Sequence, residues 1–171
     1  MRVRIMSKFA FAAVLLGMAV PAALTAQAAN KILEPADMQK LMPATVWYDG
    51  QSAPTQLRNS GGVKFADGHF VLATLVDTSG YSTGIAAKYQ AYFVVEEPVK
   101  IGGKTLAAGI YGAGFIAGNK FVVTDVGAHD VLTVASTNDA AMARPRPLQV
   151  VADPAGGYRL YAGRNYVTFS K

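Results

Sequence analysis

From Ala44 onward, apolar residues come only in short runs, each cut off by Gly, Asn, Asp or Pro. Val, Tyr, Phe and Thr dominate these runs, which is a strand-and-turn rhythm and not the spacing of an amphipathic helix. The runs predict strands near 44–48, 63–66, 69–77, 86–96, 105–106, 109–116, 120–126, 130–135, 147–152, 158–162 and 165–170. Ala66-Asp67-Gly68 and Gly118-Asn119 supply residues able to take positive φ at tight turns. Pro154-Ala-Gly-Gly157 and Gly163-Arg-Asn165 link the last three strands into a meander. Close-set hairpins imply antiparallel pairing. The expected fold is all-β, a single antiparallel β-sandwich or compact β-barrel with a short N-terminal helix.

That helix is expected over 31–42, where Pro35 suits a first helical position and Pro43 a stop. The polar stretch from Asp49 to Gly62, and Ser79 to Gly84, read as surface loops. Phe70-Val-Leu-Ala-Thr-Leu-Val76 is nearly continuous in apolar character, as in a strand buried on both faces. An outer-membrane barrel instead needs strict apolar-out, polar-in alternation over segments of roughly 10 residues, which these runs lack.

The first 28 residues carry a different signature. Arg2, Arg4 and Lys8 precede an apolar run from Phe9 to Val20, and Ala26-Gln27-Ala28 forms an A-x-A site. This is the order of a secretory signal peptide, so cleavage is expected near Ala28 and the product is expected to be periplasmic or extracellular. The expected organisation is 1–28 signal peptide, 29–43 helical lead-in and 44–171 one β domain. The apolar run is shorter than the roughly 20 residues a membrane-spanning helix needs, so no transmembrane span is expected in the mature chain. The chain has no cysteine, so an exported product must be stabilised by packing alone. Removing the leader leaves 143 residues with thirteen cations against eleven acids, a net charge of +2 in place of +5. The remaining cations are scattered, so a nucleic-acid partner is not expected.

Two histidines are the first candidates for chemistry. His69 follows Asp67 and Gly68, and His129 precedes Asp130. If the two turns met, His69, His129, Asp67 and Asp130 would suit a metal or an acid–base pair. No ligand-spacing motif supports this, and no cofactor is expected. There is no nucleophile elbow around Ser60 or Ser79. Glu96 and Glu97 are strand neighbours pointing to opposite faces, and read as solvated charges. Gly112 and Gly114 share one strand face, with Tyr111 and Phe115 on the other. That bare face has room for an aromatic ring, from Tyr89 or Tyr92, or for a ligand. Trp47, Tyr89 and Tyr92 are the matching candidates for a binding platform. Arg144-Pro-Arg-Pro-Leu148 reads as an extended lead-in whose arginines, with Arg159 and Arg164, would form an anion-attracting rim.

Gly103, Lys104, Leu106, Ala108, Gly109 and Tyr111 match a Gly-Lys-x-Leu-x-Ala-Gly-x-Tyr element. It resembles a recurring connection between sheet strands in exported bacterial β-domain families of unknown function. The resemblance covers about a dozen residues and implies a β-sandwich, with no activity to transfer. The function expected from the chain as a whole is that of a non-enzymatic ligand-binding or envelope interaction domain, its partner a small molecule or envelope component. The alternatives are a metal-assisted or His/Asp hydrolase using His69 and His129, and a small hydrophobic-ligand carrier.

Overall fold

The computed structural model describes residues 29–171, so the signal-peptide reading of 1–28 lies outside the described residues. The chain opens with β1 (Lys31–Leu33), α1 (Pro35–Met38), β2 (Thr45–Tyr48), β3 (Gln51–Lys64) and β4 (Phe70–Val76). There follow α2 (Thr83–Lys88), β5 (Ala91–Val95), β6 (Val99–Ile101), β7 (Lys104–Leu106) and β8 (Gly109–Ile116). β9 (Lys120–Thr124), β10 (Asp130–Ala135), β11 (Thr137–Asn138), β12 (Gln149–Ala152), β13 (Tyr158–Ala162) and β14 (Asn165–Ser170) complete it.

These strands form two antiparallel sheets. The larger runs β1-β3-β4-β5-β8-β9-β10, with β2 paired to β3. The smaller runs β12-β13-β14-β6-β7, with β11 paired to β14. The turns do what their residues dictate. Gly118 and Asn119 both take positive φ, 79° and 53°, in the three-residue turn 117–119 that closes the β8–β9 hairpin at Ile116↔Lys120. The 103–111 element carries the chain from β7 in the smaller sheet to β8 in the larger one.

One apolar cluster contains residues of both sheets. Val71, Phe93, Val95, Tyr111, Phe121 and Val123 come from the larger, and Ile101, Leu106, Leu160, Val167 and Phe169 from the smaller. The opposite face of the larger sheet is covered as well. Leu33, Met38 and Met42 pack on Leu72, while Val46, Tyr48, Tyr81 and Tyr89 pack with Val76. β4 therefore buries Val71 and Ala73 on one side and Leu72, Thr74 and Val76 on the other. Its unbroken apolar character follows from that double burial.

Three local expectations are corrected. The lead-in 29–43 is not one helix: residues 31–33 form β1, pairing with β3 from Lys31↔Lys64 to Leu33↔Gly62, and the helix is only Pro35–Met38. Residues 51–62 are not a loop but most of β3, the longest strand of the described residues. Its pairing with β4 breaks between Gln56 and Ser60. Beyond that break Gln56 and Thr55 still pair with Leu75 and Val76 of β4, while Pro54 to Gln51 pair with β2, from Thr45↔Pro54 to Tyr48↔Gln51, and the β2–β3 hairpin folds over its own sheet. Residues 86–88 are not strand either. They belong to α2, started by Ser82, whose hydroxyl accepts from the Ile85 backbone N–H at 3.4 Å.

Candidate metal centre

The β3–β4 turn is built by its own sequence. The Phe65 N–H donates to the His69 carbonyl at 2.8 Å, Gly68 takes φ +97°, and the His69 N–H donates to Asp67 Oδ1 at 3.1 Å. Asp67 and His69 thus face each other across one glycine. The β4–β5 pairing continues past its last strand residues: the Glu96 N–H donates to the Phe70 carbonyl at 3.0 Å, and the Phe70 N–H to Glu96 Oε2 at 2.9 Å. Glu96 is held there, and Glu97 is left beside His69.

His69 Nδ1 lies 3.2 Å from Asp67 Oδ1 and 2.9 Å from Glu97 Oε1. Both oxygens sit close, yet Nδ1 has no hydrogen-bond partner and almost no contact with solvent. The oxygens are therefore beside the ring nitrogen's axis and not on it. One ligand atom from each of the three residues fits within 4.8 Å. The second oxygens of both carboxylates are bridged by the Lys171 ammonium. Lys171 arrives there because β14 pairs with β6 through Phe169↔Ile101 and Ser170↔Lys100, which carries the next residue toward the start of β6. The ammonium also lies 5.6 Å from the centre of the Phe65 ring. An open crevice of about 400 Å³ adjoins the cluster, lined by Asn30, Asp67, Tyr158 and Lys171 among others.

The second histidine is elsewhere. His129 belongs to the β9–β10 turn, where its Nδ1 meets Asp125 Oδ2 at 3.0 Å and its N–H donates to Asp125 Oδ1 at 2.9 Å. The backbone N–H of His129 and the imidazole together hold the Asp125 carboxyl below its ordinary range. Asp130 pairs with Lys88 at 2.6 Å and not with either imidazole. In the sheet order β4 and β9 are three strand steps apart, roughly 14 Å at about 4.8 Å per step. His69 and His129 cannot bind one ion across that gap, since metal–nitrogen bonds are about 2 Å. The four-residue set His69, His129, Asp67 and Asp130 is thus not assembled; only Asp67 and His69 come together.

The glycine face is filled. A side chain at Gly112 would meet Tyr48 at 2.7 Å and Tyr89 at 2.8 Å, and one at Gly114 would strike the Lys88 carbonyl oxygen. Tyr89 is fully buried and stacks on Tyr48 with ring centres 3.6 Å apart. Tyr92 is half-buried between the two outer clusters. Trp47 points outward and is 69% exposed. Between the sheets, the crevice flanked by Leu75, Phe115, Leu148 and Leu160 has a cavity volume of about 10 Å³. That is far below the roughly 300 Å³ of a small-molecule pocket. The arginine rim is divided too. Arg146 meets Glu34 at 3.2 Å, and Arg159 meets Asp153 at 3.1 Å and stacks on Tyr166.

Sequence reasoning missed Glu97 and Lys171. Glu96 and Glu97 lie past the end of β5 at Val95, so they are not the strand neighbours expected and strand parity does not reveal that Glu97 meets His69. The one available signal was the Asp67-Gly68-His69 turn itself, which needs a partner strand end nearby. No known protein family, curated protein or solved structure matches the chain.

Proposed function

We propose that the chain is an exported, non-enzymatic β domain that acts by binding or contact in the cell envelope, and that its two sheets pack as a β-sandwich. The observation that carries this reading is the separation of its two histidines, which sit on turns three strand steps apart in the larger sheet. Each histidine is engaged by carboxylates near its own turn, and both lie at open surfaces. Catalysis by an acid–base pair needs those groups within hydrogen-bond reach of one substrate. A shared apolar cluster between sheets with separate edges supports a sandwich over a closed barrel. The 103–111 element, in its resemblance to exported bacterial domains, agrees with both parts.

Expression of the full chain with cell fractionation and N-terminal sequencing tests the export arm. The expected product begins near Ala29 and lies outside the cytoplasm, and an unprocessed cytoplasmic protein overturns it. The purified protein is then screened by thermal shift against glycans and lipids, and for turnover of chromogenic esters, phosphoesters and glycosides. A raised Tm with one ligand class and no turnover is expected, because binding to the folded state alone raises apparent stability. Turnover abolished by His69→Ala or His129→Ala overturns the non-enzymatic reading.

A further inference from the structure

We infer that Asp67, His69 and Glu97 form a divalent-cation site of the zinc or manganese class, with Lys171 as its built-in competitor. The donor set is one imidazole and two carboxylates, supplied by two separate strand connections. Such mixed nitrogen–oxygen sets suit borderline and hard divalent ions, with water filling the remaining positions.

Geometry carries the argument. Bonds of about 2.1 Å from one ion place neighbouring ligand atoms about 3.0 Å apart at octahedral angles and about 3.4 Å at tetrahedral ones. His69 Nδ1 stands 2.9 and 3.2 Å from its two carboxylate oxygens. In a hydrogen bond the acceptor lies along the N–H direction. In a coordination shell the ion occupies that direction and neighbouring oxygens lie to the side. Nδ1 has its oxygens to the side and no hydrogen-bond partner. With Nε2 carrying the hydrogen, its lone pair faces the space the two carboxylates flank.

Charge supplies the second argument. The paired carboxylates already draw a cation, since Lys171 bridges their outer oxygens. An ion on the inner oxygens would share those carboxylates with the ammonium or displace it. The adjoining crevice gives both the ion and the lysine head somewhere to go. Bound there, the ion would tie the β3–β4 turn to the β5–β6 connection. This inference stands apart from the proposed function: a non-enzymatic domain can hold an ion, and an enzyme can lack one here.

The test is calorimetric titration of the purified protein with ZnCl2 and MnCl2, in parallel with thermal shift. Saturable binding at one ion per chain and a raised Tm are expected. Asp67→Asn, His69→Ala and Glu97→Gln should each weaken binding at least tenfold, and His129→Ala should leave it unchanged. Lys171→Met should tighten binding roughly tenfold by removing a like charge close to the ion. Where a variant fails to fold, imidazole-nitrogen coupling in the electron paramagnetic resonance spectrum of the Cu2+-loaded parent protein decides. The inference is overturned by absence of saturable binding in both parent and Lys171→Met at millimolar ion, by binding retained in His69→Ala, or by absence of nitrogen coupling.

Discussion

Tyr48 and Tyr89 stack together, but their hydroxyls have opposite fortunes. Tyr48 Oη meets Thr124 Oγ1 at 2.5 Å, whereas Tyr89 Oη is buried with no partner. A satisfied buried hydrogen bond contributes about 1 kcal/mol, and an orphaned hydroxyl is a desolvation cost. Tyr48→Phe should therefore lower stability by about 1 kcal/mol in urea denaturation, while Tyr89→Phe leaves it unchanged or raises it by up to about 1 kcal/mol. An equal loss in both variants contradicts this assignment. The ring over Gly112 was legible beforehand, because residues two apart on a strand share a face and the missing side chains demand a filler. That Tyr48 joins Tyr89 there was not. Its route depends on the β2–β3 hairpin folding over the sheet, which parity along one strand does not encode.

Among elements, β8 and α2 depend on each other. α2 ends with the Lys88 carbonyl against Gly114, and the Lys88 ammonium reaches Asp130 on β10. A methyl group at Gly114 meets backbone, which cannot rotate away as a side chain can. Gly114→Ala should cost about 1–3 kcal/mol, read as a lowered urea midpoint with an unchanged slope. Elements built on short apolar runs, such as β4, β5, β8 and β9, were readable from the chain. β3 and α2 were not. Gln51 to Asn59 is polar because this arm of β3 is the outermost layer, with Ala53 alone fully buried before Ser60. Pairing with β2 and, at Thr55 and Gln56, with β4, and not hydrophobic patterning, makes it a strand. Thr83 and Gly84 read as the end of a surface loop and residues 86–88 as strand, because Ala86 and Ala87 run on toward β5, and only the Ser82 cap marks the helix start.

For the whole molecule, pH sets limits at both ends. Asp37 is lowered by its bond from Lys31, and Asp77, Asp125 and Asp153 foremost by backbone N–H donors at Ser79, His129 and Ala155. Their folded pKa values lie below the ordinary 3.8. The unfolded chain therefore binds more protons below about pH 4, and stability falls as acid is added. Burial moves Tyr48, Tyr81, Tyr89, Tyr92, Tyr111 and Tyr161 the other way, above the ordinary 10.0. Their contribution is complete below pH 10 and is lost as pH rises further. Stability measured by denaturation should thus be flat from about pH 5 to 9 with respect to these groups. The phenolate absorbance of the six should rise at higher pH in the folded protein than in the denatured chain. Ionisation of all eight tyrosines at pH 10 to the same extent as in the denatured chain, with near-ultraviolet circular dichroism intact, contradicts the buried assignment.

β3 gives the larger sheet both an inner strand and, past its bend at 57–59, part of the roof over that sheet. Shingle and rafter are one continuous piece of backbone. The aromatic roof cannot lift as an independent flap, because any movement of it tugs on the strand that joins β1 to β4.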